Sequence, residues 1–415
     1  MATKRKSDRV PDEPRILTLG GPGRHSGAAF HLNQPAADSV TASLAGGWTA
    51  ELIAGSGQIV LRSLAPIDNY GNALDGGLAA AQEALDLLTM QGRSHLVLEA
   101  SDARHIVWWT EPRGTVLRAV TTSDIAISMS VTTTVRDASG AVVPPQPTQP
   151  LMWHPSFRYF RLSQATSDLF DAYRNMYLAL EAALSTVVPP CPQANGTPEK
   201  EGAWLRRALR QINGQGSLAA FAPPGASDVV DAIYQDLYGG TRTGLFHAKS
   251  GRPVLLPHSG ANRGQVVQSL ECLSRLYLAI CAQYLHVSRP SGAITYAGFD
   301  AMTGFAADVV VSDDPAPALK EDMVINPTGG AMAALPTRLA PELSAPGHKF
   351  WLGEQHSTSL VGQMALMRRI GLRRDFLLSV DRLDDPLSLE GVDIFQVQSG
   401  LRMVNLQQPR FMFNT

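Results

Sequence analysis

The sequence predicts an α+β multidomain protein: a β-rich N-terminal α+β domain, a four-to-five-helix bundle and a β-rich C-terminal domain. Three observations lead there. The chain has 415 residues, more than one core usually serves at ~150 residues per domain. Its apolar period runs strand-like, then helical, then strand-like again. Between the first two regimes stands Val-Val-Pro-Pro-Gln-Pro-Thr-Gln-Pro at 142–150, whose four prolines can continue neither a helix nor a central strand. Hydrophobic residues at 44% against 17% charged exclude wholesale disorder.

Residues 1–13, with Lys4, Arg5, Lys6 and Arg9, read as a disordered polar tail that leads into no apolar signal segment. Domain 14–141 carries β-branched and aromatic runs at 48–53, 58–61, 95–98, 105–110 and 125–135, punctuated by Gly, Asn and Asp. One helix interrupts them, with Leu74, Leu78, Ala81, Leu85 and Leu88 at steps of three and four. A linker follows at 142–152. In the bundle, 153–288, a stripe from Phe157 through Leu169, Tyr173, Met176 and Leu180 to Val187 predicts one long first helix, stopped by Pro189-Pro190.

Thr197-Pro198-Glu199 reads as the next helix start, with Thr as N-cap, ahead of Trp204, Leu205, Ala208, Leu209 and Ile212. Ser227-Asp228 opens a third helix, and 262–285 holds a fourth with Val266, Leu270, Leu273, Tyr277, Ile280 and Tyr284 on one face. Domain 291–415 returns to strands at 293–296, 308–312, 323–325, 349–352, 376–380 and 392–397. A short helix is expected near 360–369.

Composition excludes several function classes. Three cysteines are too few for a disulfide framework or a four-ligand zinc site, and no metal or other cofactor is called for. The longest apolar stretch, 276–285, falls far short of the ~20 residues of a spanning helix, so a soluble cytoplasmic protein without membrane partners is expected. A formal charge of −2 speaks against non-specific coating of nucleic acid. The distribution of that charge narrows the exclusion to the flanks: the net is −2 over 1–150, +4 over 151–290 and −4 over 291–415. Residues 237–270 contain no acid, yet include Arg242, His247, Lys249, Arg252, His258 and Arg263. Such a stretch attracts phosphate, unless acids elsewhere in the fold neutralise it.

The short motif with chemistry in it is Tyr238-Gly239-Gly240-Thr241-Arg242-Thr243-Gly244-Leu245-Phe246-His247-Ala248-Lys249. Arg242 and His247 would lie about 140° apart on a regular helix, and converge only in a turn of the kind Gly239, Gly240 and Gly244 permit. Histidine takes or returns a proton near neutral pH, and a guanidinium forks onto phosphate oxygens. Together they suit metal-free cleavage of RNA by its 2′-hydroxyl. A structural histidine that caps a helix or pairs with an acid satisfies the same spacing.

A long first helix, a variable middle and Arg-x4-His ahead of the last helix of a basic bundle resemble the HEPN superfamily. Phe157-Arg158-Tyr159-Phe160-Arg161, Asp171-Ala172-Tyr173-Arg174-Asn175 with Leu178 and Glu181, and 242–249 resemble its MauJ-like branch. The likeness covers about 155–287. It implies a bundle that forms a homodimer, and in active members a metal-independent endoribonuclease of defence, toxin-like or RNA-processing systems. Carried over, Arg242 binds the scissile phosphate and His247 is the acid/base, with Thr243, Lys249, Arg252, Arg174 and Asn175 as further RNA contacts. Active members commonly have Asn, Asp or His after the arginine, where this chain has Thr243. Members without catalysis serve as dimerisation and RNA- or protein-binding modules, the second reading of this sequence.

Other patterns read as structural. The glycine-rich 19–27 lacks the Lys-Ser/Thr of a P-loop and fits a strand-ending turn. His348, Glu354 and His356 lack a metalloprotease spacing. Arg368, Arg369, Arg373 and Arg374 lie beside Asp375 and the acidic 381–385, as on a salt-bridged surface. Of Trp108-Trp109, alternation points one ring to each face of a strand; an exposed ring would suit ligand or base stacking, but burial under a neighbouring domain is the expected state.

Overall fold

The computed structural model describes residues 16–19, 26–92, 95–99, 101, 103–126, 134–144, 151–166, 168–192, 196–197, 199–246, 254–255, 260–287, 296–316, 324–344 and 347–404. In chain order the first elements are β1 (Ser26–His31), β2 (Val40–Ser43), β3 (Trp48–Leu52), β4 (Gln58–Ser63), α1 (Tyr70–Met90), β5 (Arg104–Glu111) and β6 (Gly114–Ala126). Helices follow as α2 (Pro155–Ala165), α3 (Leu169–Val187), α4 (Glu201–Gln215), α5 (Val229–Tyr234), a π-helical stretch Gln235–Arg242, α6 (Thr243–Phe246) and α7 (Gly260–Tyr284). The chain then forms α8 (Tyr296–Thr303), β7 (Asp308–Ser312), β8 (Met332–Leu335), β9 (Thr337–Leu339), β10 (His348–His356), α9 (Ser357–Val361), β11 (Leu366–Arg373), β12 (Leu377–Ser388) and β13 (Ile394–Val404).

The α+β character expected from the sequence is present, but in two units rather than three domains. Described residues of 1–125 and 298–402 form one unit, and those of 126–297 and 403–415 another. The physical reason is a shared sheet. Nine strands run β2-β3-β4-β1-β5-β6-β13-β10-β9, so β13 from the C-terminal part hydrogen-bonds beside β6 from the N-terminal part. Neither part could leave that edge unpaired without exposing a row of backbone groups. A second sheet, β12-β11-β7-β8, belongs to the same unit.

The β-rich unit is organised by alternation along β1. Ala28 and Phe30, opposite Leu61 and Ile59, face the buried apolar side of α1. Gly77 in α1 lets that helix approach, since a Cβ there would meet the Ala28 side chain at 2.6 Å. Gly27, Ala29 and His31 take the other face. A Cβ on Gly27 would strike the Trp108 indole and the Leu61 carbonyl, so only glycine fits. Trp108 and Trp109 are both buried, as expected: Trp109 packs edge-on to Tyr70 and donates to Glu111 at 2.9 Å.

The helical unit has one core, in which Tyr173, Met176, Leu180 and Leu184 of α3 meet Leu209 and Ile212 of α4 and Leu270, Leu273 and Tyr277 of α7. Several sequence expectations change here. The long first helix is two, α2 and α3, because Asp168 caps the second by accepting from Asp171 N at 2.8 Å. The apolar stripe runs on without a break, but the two helices fold back as a hairpin. The helix forecast from Thr197 begins at Glu201 without a side-chain cap, because Glu199 instead accepts from Arg207 at 2.7 Å and from Cys191 N at 3.1 Å.

In the C-terminal part, the helix forecast near 360–369 is α9 followed by β11, whose Met367 and Ile370–Leu372 are buried between partner strands. Residues 324–326 form no strand, and helix α8 begins at Tyr296, where a strand was expected. Strands β1, β2 and most of β6 lie outside the forecast runs. Among the described residues no helix is long and apolar enough to cross a membrane.

Candidate functional site

Arg242 ends the π-helical stretch, where a register of five residues per hydrogen bond widens the helix and re-aims its side chains. Gly239 and Gly240 lie inside it, each close to Gln235: a Cβ would meet its Oε1 at 2.5 Å or its carbonyl at 3.1 Å. The Arg242 side chain is only 17% exposed, and Nη2 lies 2.8 Å from the Glu201 carboxylate at the start of α4. Three aromatic rings lie against it, with centroids at 4.7 Å for Tyr238, 5.2 Å for Tyr177 and 5.5 Å for Phe246. Each such contact is worth about 0.5–2 kcal/mol, more as water is excluded.

The acid is itself held in place. Tyr177 donates to Glu201 Oε1 at 3.1 Å, and Gly202 next to it leaves room for Tyr234 and Tyr238, whose nearest atom would lie 2.6 Å from a Cβ. Glu181, one turn beyond Tyr177, is half-buried; burial and the neighbouring Glu201 raise its pKa, against the pull of Arg242. The Tyr177 hydroxyl is pushed above its ordinary value, first by burial and then by Glu201. Glu181 and Glu201 line a groove of about 410 Å³ with Tyr159, Ser185 and Trp204. The surroundings of Arg242 are thus carboxylates and rings.

Other sequence-selected residues are spread out. Thr243 donates its hydroxyl to Tyr238 O at 2.7 Å, which ties it to the backbone of its own turn. Asn175 donates to Asp171 O at 2.8 Å. Arg174 is exposed on α3. His247, Lys249 and Arg252 lie outside the described residues, as do 20–25 of the glycine-rich run. Leu245 is buried and Phe246 half-buried beside Phe170, at 6.0 Å between centroids.

Some of the cations of this part of the chain are paired within it. Arg206 pairs with Asp231 at 3.0 Å and stacks over Tyr234, while Arg207 pairs with Glu199. Cations without a side-chain hydrogen bond or ion pair among the described residues include Arg158, Arg161, Arg174 and Arg210, all exposed. Trp153, two residues ahead of α2, is 69% exposed. Sequence reasoning missed Glu201 and Tyr177, and named Tyr238 in the motif without a role. The signal present was an acid followed by glycine at a helix start, ahead of Trp204.

His348, Glu354 and His356 do not gather: Glu354 pairs with Arg113 at 3.1 Å and accepts from Gln396 at 2.6 Å. Among the described residues no group of three His, Cys, Asp or Glu side chains could hold a metal. No family model matches the chain, and no curated protein or solved structure is significantly similar to it.

Proposed function

We propose that the helical unit is a HEPN-like bundle that holds RNA without cutting it, as a homodimeric accessory module. The observation that carries this reading is the commitment of Arg242. Its guanidinium already has a carboxylate at 2.8 Å and three rings around it. A phosphate would have to displace Glu201 and approach past Glu181, against like charge. Free cations lie instead on the α2–α3 hairpin, where Arg158, Arg161 and Arg174 are exposed and Trp153 adds a ring for a base to stack on.

A second reading keeps a metal-independent endoribonuclease built on Arg242 and His247. It is favoured by the π-helical stretch, a feature frequent at functional sites. RNA binding and RNA cleavage by the full chain, both in EDTA, separate the two. The Arg158→Ala/Arg161→Ala variant is expected to bind about tenfold more weakly and with a shallower salt dependence, and wild type to leave RNA intact. Cleavage that His247→Ala abolishes would replace the first reading with the second. Absence of salt-dependent binding would end both.

A further inference from the structure

We propose that the β-rich unit carries a binding site for a neutral saccharide, seated on Trp48 in the cleft between β3, the start of α1 and the end of β5. The cleft measures about 530 Å³, within the range of ligand pockets. Trp48, Pro66 and Ile67 form its apolar wall, and Asp68, Asn72 and Thr110 are its polar groups.

Hydrogen bonds hold this platform before any ligand arrives. Ile67 N donates to Ser26 Oγ at 2.7 Å, and its carbonyl accepts from Thr110 N at 2.9 Å. The 64–69 loop between β4 and α1 is thereby pinned to β1 and β5. At its other end Leu64 N donates at 2.9 Å to the carbonyl of Gly47, the residue before Trp48. Gly76 lets the indole lie against α1, since a Cβ there would meet its six-membered ring at 2.8 Å. Trp48 rests half-buried in that position. Asn72, one turn before Gly76, shares its face of the helix. A surface ordered in advance loses less entropy when it binds.

The lining selects the ligand. An indole face is electron-rich and attracts C–H bonds. Sugars with equatorial hydroxyls, the gluco configuration, present C–H bonds on both flat faces and hydroxyls around the edge. The Asn72 amide and the Thr110 hydroxyl can each donate and accept, and the Asp68 carboxylate accepts. Asn69 Nδ2 orients that carboxylate at 2.9 Å and leaves it acceptor capacity for a sugar hydroxyl.

Charge disfavours the other classes. Among the described residues no cation lines the cleft. Residues 40–92 hold five acids and a single cation, Arg62. Arg62 lies on the opposite face of the sheet from Trp48, paired with Glu51 and over Trp108. Arg113 and Arg118, beyond the end of β5, are bonded to Glu111 and to Gln396. A phosphorylated ligand, RNA included, would meet Asp68 without a counter-charge. A cation would find one ring and one exposed carboxylate, which contributes little in water.

Titration calorimetry of the full chain tests the site, with cellotriose, the N-acetylglucosamine trimer, glucose 6-phosphate and spermidine as separate ligands. The expected result is saturable binding of at least one trisaccharide with a Kd of about 1 mM or below. Glucose 6-phosphate and spermidine should each bind about tenfold more weakly or worse. Trp48→Ala should weaken trisaccharide binding by about tenfold. Where Trp48→Ala does not fold, Asn72→Ala takes its place, with an expected loss of about fivefold. Asn72 is exposed and contributes its backbone N–H, not its side chain, to the α1 cap. No saturation by either trisaccharide up to roughly 10 mM, or tighter binding of glucose 6-phosphate or spermidine, overturns the proposal. Unchanged affinity in folded Trp48→Ala, or in Asn72→Ala in its place, overturns it equally.

Discussion

Arg242 in the helical unit and Arg382 in the β-rich unit hold opposite positions in their surroundings. Arg242 sits between a carboxylate and three rings, with a counter-charge at 2.8 Å. Arg382 lies across the ladder from another arginine, with Asp384 as a charged neighbour and no side-chain hydrogen bond among the described residues. The sequence suggests the reverse: Arg242 stands in an acid-free stretch, while Arg382 stands among aspartates. Linear neighbourhood therefore misjudges compensation. In a bundle, an acid 41 residues away reaches across from another helix; in a ladder, adjacent residues point to opposite faces and do not pair with each other.

The largest expected effect tests whether the two regions stand independently. Trp108→Ala should destabilise the β-rich unit by about 3–5 kcal/mol, because the indole is fully buried under Gly27. Calorimetric unfolding should show that transition move while that of the helical unit stays; a joint shift would erase the distinction. A pH effect comes next. His105 donates to Ser101 O and meets the Tyr70 hydroxyl at 2.8 Å, and burial lowers its pKa to about 4.

The unfolded imidazole titrates near 6.5, so between 6.5 and 4 the unfolded chain binds more protons than the folded one. Stability is full above 6.5 and falls by roughly 3 kcal/mol as the pH drops to 4. Urea midpoints at both pH values should reveal it for the β-rich unit, and His105→Gln should flatten it.

The arginines themselves give smaller effects of opposite sign. Glu201→Ala leaves Arg242 half-buried without its counter-charge, at a cost of about 2 kcal/mol after allowance for solvent access on the Glu201 side. Arg382→Gln removes a like-charge opposition, so the protein should gain about 0.5 kcal/mol. Chemical denaturation of the two variants side by side decides the contrast: equal losses would show that Asp384 outweighs that opposition. Asp168→Ala should cost about 1 kcal/mol through loss of the α3 cap, seen as a small drop in the helical transition alone.

Much of the helical unit was legible because its signals are local. Val266, Leu270, Leu273, Tyr277 and Ile280 mark one face of α7 within a single segment, and Asp228 caps α5 as its position suggests. The break between α2 and α3 was hidden, since both helices contribute apolar residues to one core and the stripe runs on through the turn. In the candidate site Arg242 was legible but its partners were not, because Glu201 and Tyr177 meet it only when three helices pack. Strand β1 escaped notice for a related reason: Ser-Gly-Ala-Ala-Phe-His is buried on both faces and shows no alternation.

By itself the sequence determined an α+β protein, the helical period of 155–285 and the identity of the short motif with Arg242 in it. These depend on residue spacing over one or two turns, which the chain fixes before it folds. Tertiary structure alone decided that the first and last thirds share one sheet, because strand pairing joins residues hundreds of positions apart without a sequence mark. It also decided which acid each arginine meets, because charge compensation acts through space, over a few ångströms, between residues the sequence keeps far apart.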